Sequence, residues 1–235
     1  MTPDTTPTPF PENPPLSALE ARALGCLIEK EFTTPDVYPL SLNALVNACN
    51  QRNNRHPILS VGAREVELAL DQLRQRRIAS LVAGADARVP KFRQTLDISY
   101  PLDPISRALL GELLLRGPQT AASLRANAER MQPMPDAAEI DRLLNDMAER
   151  PAGALIRRLP RQAGQKELRW VQLFTGEPAE SAAAASPAES GRQAPPLTVS
   201  VSLPPEAEAR FAALEAEVAQ LKAELKALRE SLGGS

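Results

Sequence analysis

The chain has 235 residues, 43% of them hydrophobic and 24% charged, with a formal net charge of −2 at pH 7. That much apolar matter builds one or two packed cores and excludes a chain that is disordered throughout; the near balance of charge excludes bulk attraction to nucleic acid or membrane, so any basic surface has to be local. By segment, residues 16–100 and residues 101–175 each carry 11 Lys/Arg against 9 Asp/Glu, whereas residues 176–235 carry 5 against 9, which puts the acidity in the tail.

Residues 1–15 are proline-rich with little to bury and read as disordered. A first helix follows. Ser17 with Glu20 forms a capping box, Leu16, Leu19, Ala23, Leu24, Leu27 and Ile28 form one apolar stripe, and Thr33, Thr34 and Pro35 end it. Pro39 and Ser41 start a second helix with Leu42, Leu45, Val46 and Cys49 on its buried face, and the polar turn from Gln51 to Pro57 breaks it. From Gly62 a third helix runs to about Arg77 with Val66, Leu70 and Leu73 inward. The period then changes from helical to alternating, which predicts a hairpin of two strands over 78–82 and 88–96.

The same order recurs. Asp103 and Pro104 open a helix as N-cap and first-turn proline, and LGELLLR at 110–116 mirrors LGCLIEK at 24–30. Thr120 caps a short helix around Leu124, Asp136 with Glu139 caps one carrying Ile140, Leu144 and Met147, and strands at 154–159 and 167–174 complete the set. Arg169 with Trp170 falls where Lys91 with Phe92 fell. Three helices followed by a hairpin is the winged-helix arrangement, a helix-turn-helix variant. The expected fold is therefore α+β and mainly helical: winged-helix domains over 16–100 and 101–175, a flexible Ala/Ser/Pro/Glu-rich linker over 176–205, and a C-terminal helix over 206–235. Within the linker Leu197, Val199, Val201 and Leu203 alternate with polar residues, a pattern compatible with coil or with strand addition to a sheet edge.

In the C-terminal helix Phe211, Leu214, Val218, Leu221, Leu225, Leu228 and Leu232 repeat at spacings of 3 and 4, a heptad seam. With Phe211 at position a, a parallel pair sets Arg210 against Glu215, Glu217 against Lys222 and Glu224 against Arg229, all attractive, whereas a centred antiparallel pair sets Glu217 against its own copy. A parallel coiled-coil homodimer is expected, with docking of this helix onto its own domains as the alternative.

The run LGCLIEKEFTTPDVYPLSLNALVNACNQRNNRHP at 24–57, together with LLLRGPQT at 113–120, resembles the signature of the bacterial YceH family, proteins of unassigned function. The resemblance spans about residues 16–175 and implies paired winged helices with a C-terminal helix. It implies no reaction, ligand or partner.

For chemistry, Cys26 and Cys49 sit at helical spacing beside Leu27 and Leu45 and read as small core residues, and with His56 as the one histidine there is no Cys/His zinc cluster. No nucleophile with a base, phosphate-cradling loop or metal set is present, so no cofactor, no metal and no enzymatic activity are expected. Glu29, Glu31 and Asp36 read as a solvated helix end. The candidate nucleic-acid contacts are Arg52, Asn53, Asn54 and Arg55 in the turn before the third helix, with Arg88, Lys91 and Arg93 on the first hairpin. Asn50 and Gln51 add amides, and Arg74, Arg76 and Arg77 close the third helix, where they also complement its negative end. The second hairpin carries Arg157, Arg158, Arg161, Lys166 and Arg169. The third helices oppose insertion into DNA, with Glu65, Glu67 and Asp71 in the first unit and Asp136, Glu139, Asp141, Asp146 and Glu149 against Arg142 in the second. Two readings stay open for a cytoplasmic protein: binding of double-stranded DNA with weak sequence selectivity, or a scaffold that uses its winged helices for contacts with another protein.

Overall fold

A computed structural model describes residues 15–82, 89–161 and 167–176. All of them belong to one compact unit, Met1–Pro187. The heptad residues Phe211, Leu214, Val218, Leu221, Leu225, Leu228 and Leu232, and the hairpin candidates Arg88 and Lys166, lie outside the described residues.

The first repeat opens with α1, Ala18–Thr33, started by the expected capping box: the Ser17 hydroxyl accepts from the Glu20 amide at 3.2 Å, and the Glu20 carboxylate accepts from the Ser17 amide at 3.1 Å. A two-residue strand β1, Leu40–Ser41, runs directly into α2, Leu42–Cys49, capped by Ser41. After the 50–62 connection come α3, Ala63–Gln75, and the strands β2, Ala79–Val82, and β3, Lys91–Gln94. The chain leaves through a short helix α4, Leu96–Ser99. The second repeat follows the same course: α5, Pro104–Arg116; β4, Gln119–Thr120; α6, Ala121–Ala128; α7, Ala137–Ala148; β5, Ile156–Arg158; and β6, Arg169–Gln172. Asp103 accepts from the Ile105 and Ser106 amides at the start of α5, and Thr120 and Asp136 cap α6 and α7.

Each repeat carries a three-stranded antiparallel sheet rather than a two-stranded hairpin, in the order β1-β3-β2 and β4-β6-β5. The added strands are two residues long, too short to leave an alternating pattern. The registers are equivalent: Ser41 pairs with Lys91 and Leu40 with Phe92, as Thr120 pairs with Arg169 and Gln119 with Trp170. Strand β3 stops at Gln94, short of the expected 96, because the Thr95 hydroxyl donates to the Arg77 carbonyl at 2.8 Å and Leu96 begins α4.

The two repeats share one continuous hydrophobic core. Its centre is the crossing of α1 and α5, where the two copies of the Leu-Gly motif meet. A Cβ on Gly25 would sit 3.0 Å from the Leu114 Cβ, and one on Gly111 would sit 2.8 Å from the Ile28 Cγ2, so both glycines let the helix backbones approach. The repeated motif therefore encodes the junction between the repeats as well as the start of each one.

Candidate functional site

The 50–62 connection of the first repeat is longer than its counterpart between α6 and α7, residues 129–136, and its extra length crosses to the second repeat. The His56 amide donates to the Leu115 carbonyl at the end of α5 at 2.9 Å. Beneath it lies a buried ionic network. Glu29 of α1, with a side chain only 4% exposed, accepts a bidentate pair from Arg55 at 3.1 and 2.5 Å. Arg130 joins Glu29 to Glu112 of α5 at 2.6 Å each, and the Arg116 Nε stands 3.6 Å from the other Glu112 oxygen. Burial works to raise the Glu29 pKa, but the hydrogen bonds and charges of Arg55 and then Arg130 outweigh it and hold the carboxyl below its ordinary range.

This network relocates one of the expected contact residues. Arg55 is not on the surface: its side chain is fully buried, and all five guanidinium N–H groups are used, two on Glu29 and one each on the Ala48 carbonyl, the Asn54 carbonyl and Gln51. The turn closes around a carboxylate that the sequence reading took for part of a solvated helix end. Gln51 is spent on Arg55. Asn50 is likewise structural, donating to the Val61 carbonyl and accepting from the Val61 amide, both at 2.8 Å, which staples the connection shut. Arg22, unremarked in the sequence, is 2% exposed and donates to the Cys49 carbonyl at 3.2 Å and the Pro57 carbonyl at 2.7 Å. A signal existed for Glu112, which sits among the apolar positions of α5 at core spacing; Arg22 and Glu29 fall off the apolar stripe of α1, and no local pattern marks them.

Above the network the connection and the second repeat enclose a cleft of about 900 Å³. Arg52, Asn53, Asn54 and His56 form one wall and are exposed. Asn54 sits in the left-handed region, φ 57°, a conformation asparagine tolerates, and its Oδ1 accepts from the Arg116 Nη1 at 3.3 Å. Arg116, Gln119, Ser123, Asn127 and Arg169 form the facing wall. The Arg169 guanidinium is oriented by the Pro118 carbonyl at 2.9 Å, and Asn127 by Gln119 at 2.7 Å. Among the described residues no carboxylate lines the cleft. On and beneath it, the cations Arg52, Arg55, Arg116, Arg169, Arg130 and Lys30 outnumber the carboxylates Glu29 and Glu112.

Lys91 and Arg93 do not line this cleft. They stand exposed on the outer face of β3, with Phe92 and Gln94 turned inward, as a period of two requires. Arg169 takes in β6 the register position that Lys91 takes in β3. On α3, Glu65 accepts from the Gly62 amide at 2.8 Å and Asp71 pairs with Arg74 at 2.9 Å. On α7, Arg142 is held between Glu139 and Asp146 at 2.5 and 2.6 Å. At the end of α3, Arg76 stands 3.9 Å from Glu20.

A repeated α+β scaffold whose charged residues gather at the junction of its halves, with no helix among the described residues long and apolar enough to cross a membrane, defines the class. The chain belongs to the family described as "Protein of unknown function, DUF480", whose model matches residues 16–165. It is 51% identical over 177 residues to a UPF0502 protein of Geotalea daltonii, covering 75% of this chain and 80% of that one. It is 46% identical over 206 residues to one of Geobacter sulfurreducens, covering 88% and 90%. To the UPF0502 protein YceH of Escherichia fergusonii it is 41% identical over 222 residues, covering 93% and 98%. The resemblance stated from residues 24–57 and 113–120 is thus to the family the chain belongs to.

Proposed function

We propose that this protein is a non-enzymatic, dimeric, tandem winged-helix protein that binds double-stranded DNA with weak sequence selectivity through its first repeat. The observation that carries the reading is a group of exposed cations on the first repeat. Among the described residues Arg52 and Lys91 have no carboxylate partner, and the Arg93 Nε donates to the Gln94 carbonyl at 3.5 Å, whereas on the third helices Arg74 pairs with Asp71 and Arg142 with Glu139 and Asp146. The element order of each repeat supports the winged-helix assignment, which sets Lys91 and Arg93 on the wing and Arg52 in the turn before the third helix, places from which such folds reach phosphates. The third helices, mixed in charge or acidic, do not read bases, so selectivity stays weak.

The heptad seam of residues 206–235 supplies the dimer. Two tethered first repeats raise each other's effective concentration on one duplex, so weak phosphate contacts suffice. Light scattering of the chain lacking residues 206–235 is expected to give the mass of one truncated chain; the mass of two truncated chains refutes the coil. For DNA, affinity is measured across a salt series. It falls as salt rises, and replacing Arg88, Lys91 and Arg93 by alanine lowers it on all sequences alike and flattens the dependence by up to about 0.9 unit of slope per lost phosphate contact. Absence of salt-sensitive binding to duplex DNA at low ionic strength overturns the reading.

One observation favours a protein partner instead. Leu68, in the middle of α3, is 60% exposed, a position where a DNA-reading helix carries polar side chains. If duplex binding fails, contact with a protein through α3 takes its place.

A further inference from the structure

We propose that the cleft between the two repeats is a binding site for a small polyphosphate anion, with a nucleoside di- or triphosphate as the occupant whose size and polarity suit it. This goes beyond the DNA reading and does not depend on it. An open cleft of about 900 Å³ has the volume of a small-molecule site. Its cations are of the kind that binds phosphate. Guanidinium groups come from both walls, Arg52 on one and Arg116 and Arg169 on the other, and planar guanidinium forks match phosphate oxygens.

The charge count sets the ligand class. The surplus of cations around a cleft with no carboxylate among its described lining residues favours a ligand with several negative charges over a neutral or singly charged one, and disfavours a metal ion. The cleft is also built in advance. Arg116 is fixed by Asn54 and Glu112, Arg169 by the Pro118 carbonyl, and the wall that carries Arg52 is anchored through Arg55 to the buried Glu29, so ordering costs little on binding. Beyond the phosphates, the Asn53 amide, the Asn127 amide braced by Gln119, and the Ser123 hydroxyl offer donors and acceptors to a sugar or base edge.

The test is titration of the full chain at low ionic strength with adenosine triphosphate and, separately, with inorganic tripolyphosphate, followed by calorimetry. Saturable binding of one anion per chain is expected. Tighter binding of the nucleotide shows that the amide wall contributes, and equal binding shows that the phosphate chain alone is recognised. Arg52→Glu, an exposed position that carries no fold risk, and Arg169→Ala each weaken binding about tenfold or more, while Arg142→Ala, outside the cleft, leaves it unchanged. Lys91→Ala with Arg93→Ala lowers DNA affinity and leaves anion binding intact, which separates this site from the DNA surface. Failure of both anions to bind, or binding indifferent to both Arg52→Glu and Arg169→Ala, overturns the proposal.

Discussion

The two repeats share elements, caps and register, yet they use charge in opposite ways. In the first repeat the connection before the third helix is long, and its arginine goes inward to a carboxylate on α1, with Arg52, Lys91 and Arg93 left exposed. In the second the connection is short, Arg130 is drawn to the same carboxylate, and the third helix locks its arginine between two acids on its own surface. One scaffold thus supports a buried ionic joint in one place and a self-neutralised exposed helix in another. What differs is a few residues of connection and the position of the acids relative to the core.

The sharpest way to break this comparison is to remove one member of the buried joint. Glu29→Ala leaves the buried Arg55 guanidinium without its carboxylate and is expected to cost about 3–5 kcal/mol in denaturant unfolding, whereas Arg55→Ala, which leaves Glu29 with Arg130, should cost less. A loss below about 1 kcal/mol from Glu29→Ala contradicts a buried ionic network. The same joint sets a pH dependence. Because the Glu29 carboxyl is held below its ordinary range in the folded protein, its contribution is complete above the unfolded carboxylate pKa of about 4.3 and fades as pH falls through the lower folded value. Glu29→Gln should therefore show a shallower loss of stability than the native chain on the acid side of about pH 4.

A smaller effect is expected at the crossing of α1 and α5. In an open helix Gly→Ala stabilises by about 1 kcal/mol, but at Gly111 the new Cβ meets Ile28, and overpacking of about 1–3 kcal/mol should reverse the sign. Gly25→Ala, whose contact is 3.0 Å, should be milder. A stabilised Gly111→Ala would mean that the helices do not meet there. The smallest effect belongs to the second repeat's exposed pairs: Arg142→Ala should leave the denaturant midpoint close to that of the native chain, because solvent already screens that triad.

Much of the fold was legible in the sequence. Ser17, Asp103, Thr120 and Asp136 announce helix starts through short-range hydrogen bonds that need no tertiary context, and the apolar stripes mark the core faces. The strands β1 and β4 were not legible, because two residues carry no period. The site was legible in part. Arg52, Asn53 and Asn54 fall on the cleft as candidate contacts, but Arg55 and Asn50 are spent inside the fold, a distinction that depends on Glu29 and Val61, distant in sequence. Arg116 and Arg169, which complete the cleft, reach it only through the packing of α5 on α1, and no local pattern encodes that.

The central claim, that the first repeat carries the DNA surface and the second does not, is tested most directly by comparing equivalent hairpins in one salt series. Duplex affinity is measured for the native chain, for Lys91→Ala with Arg93→Ala, and for Arg158→Ala with Arg161→Ala. Arg158 is already engaged, stacked 4.5 Å over the Trp170 ring and bonded to Asn145 at 3.2 Å. The first-repeat pair should lose affinity on every sequence and flatten the salt slope by up to about two units, while the second-repeat pair stays near the native curve. Equal losses from both hairpins, or a loss confined to the second, would contradict the account.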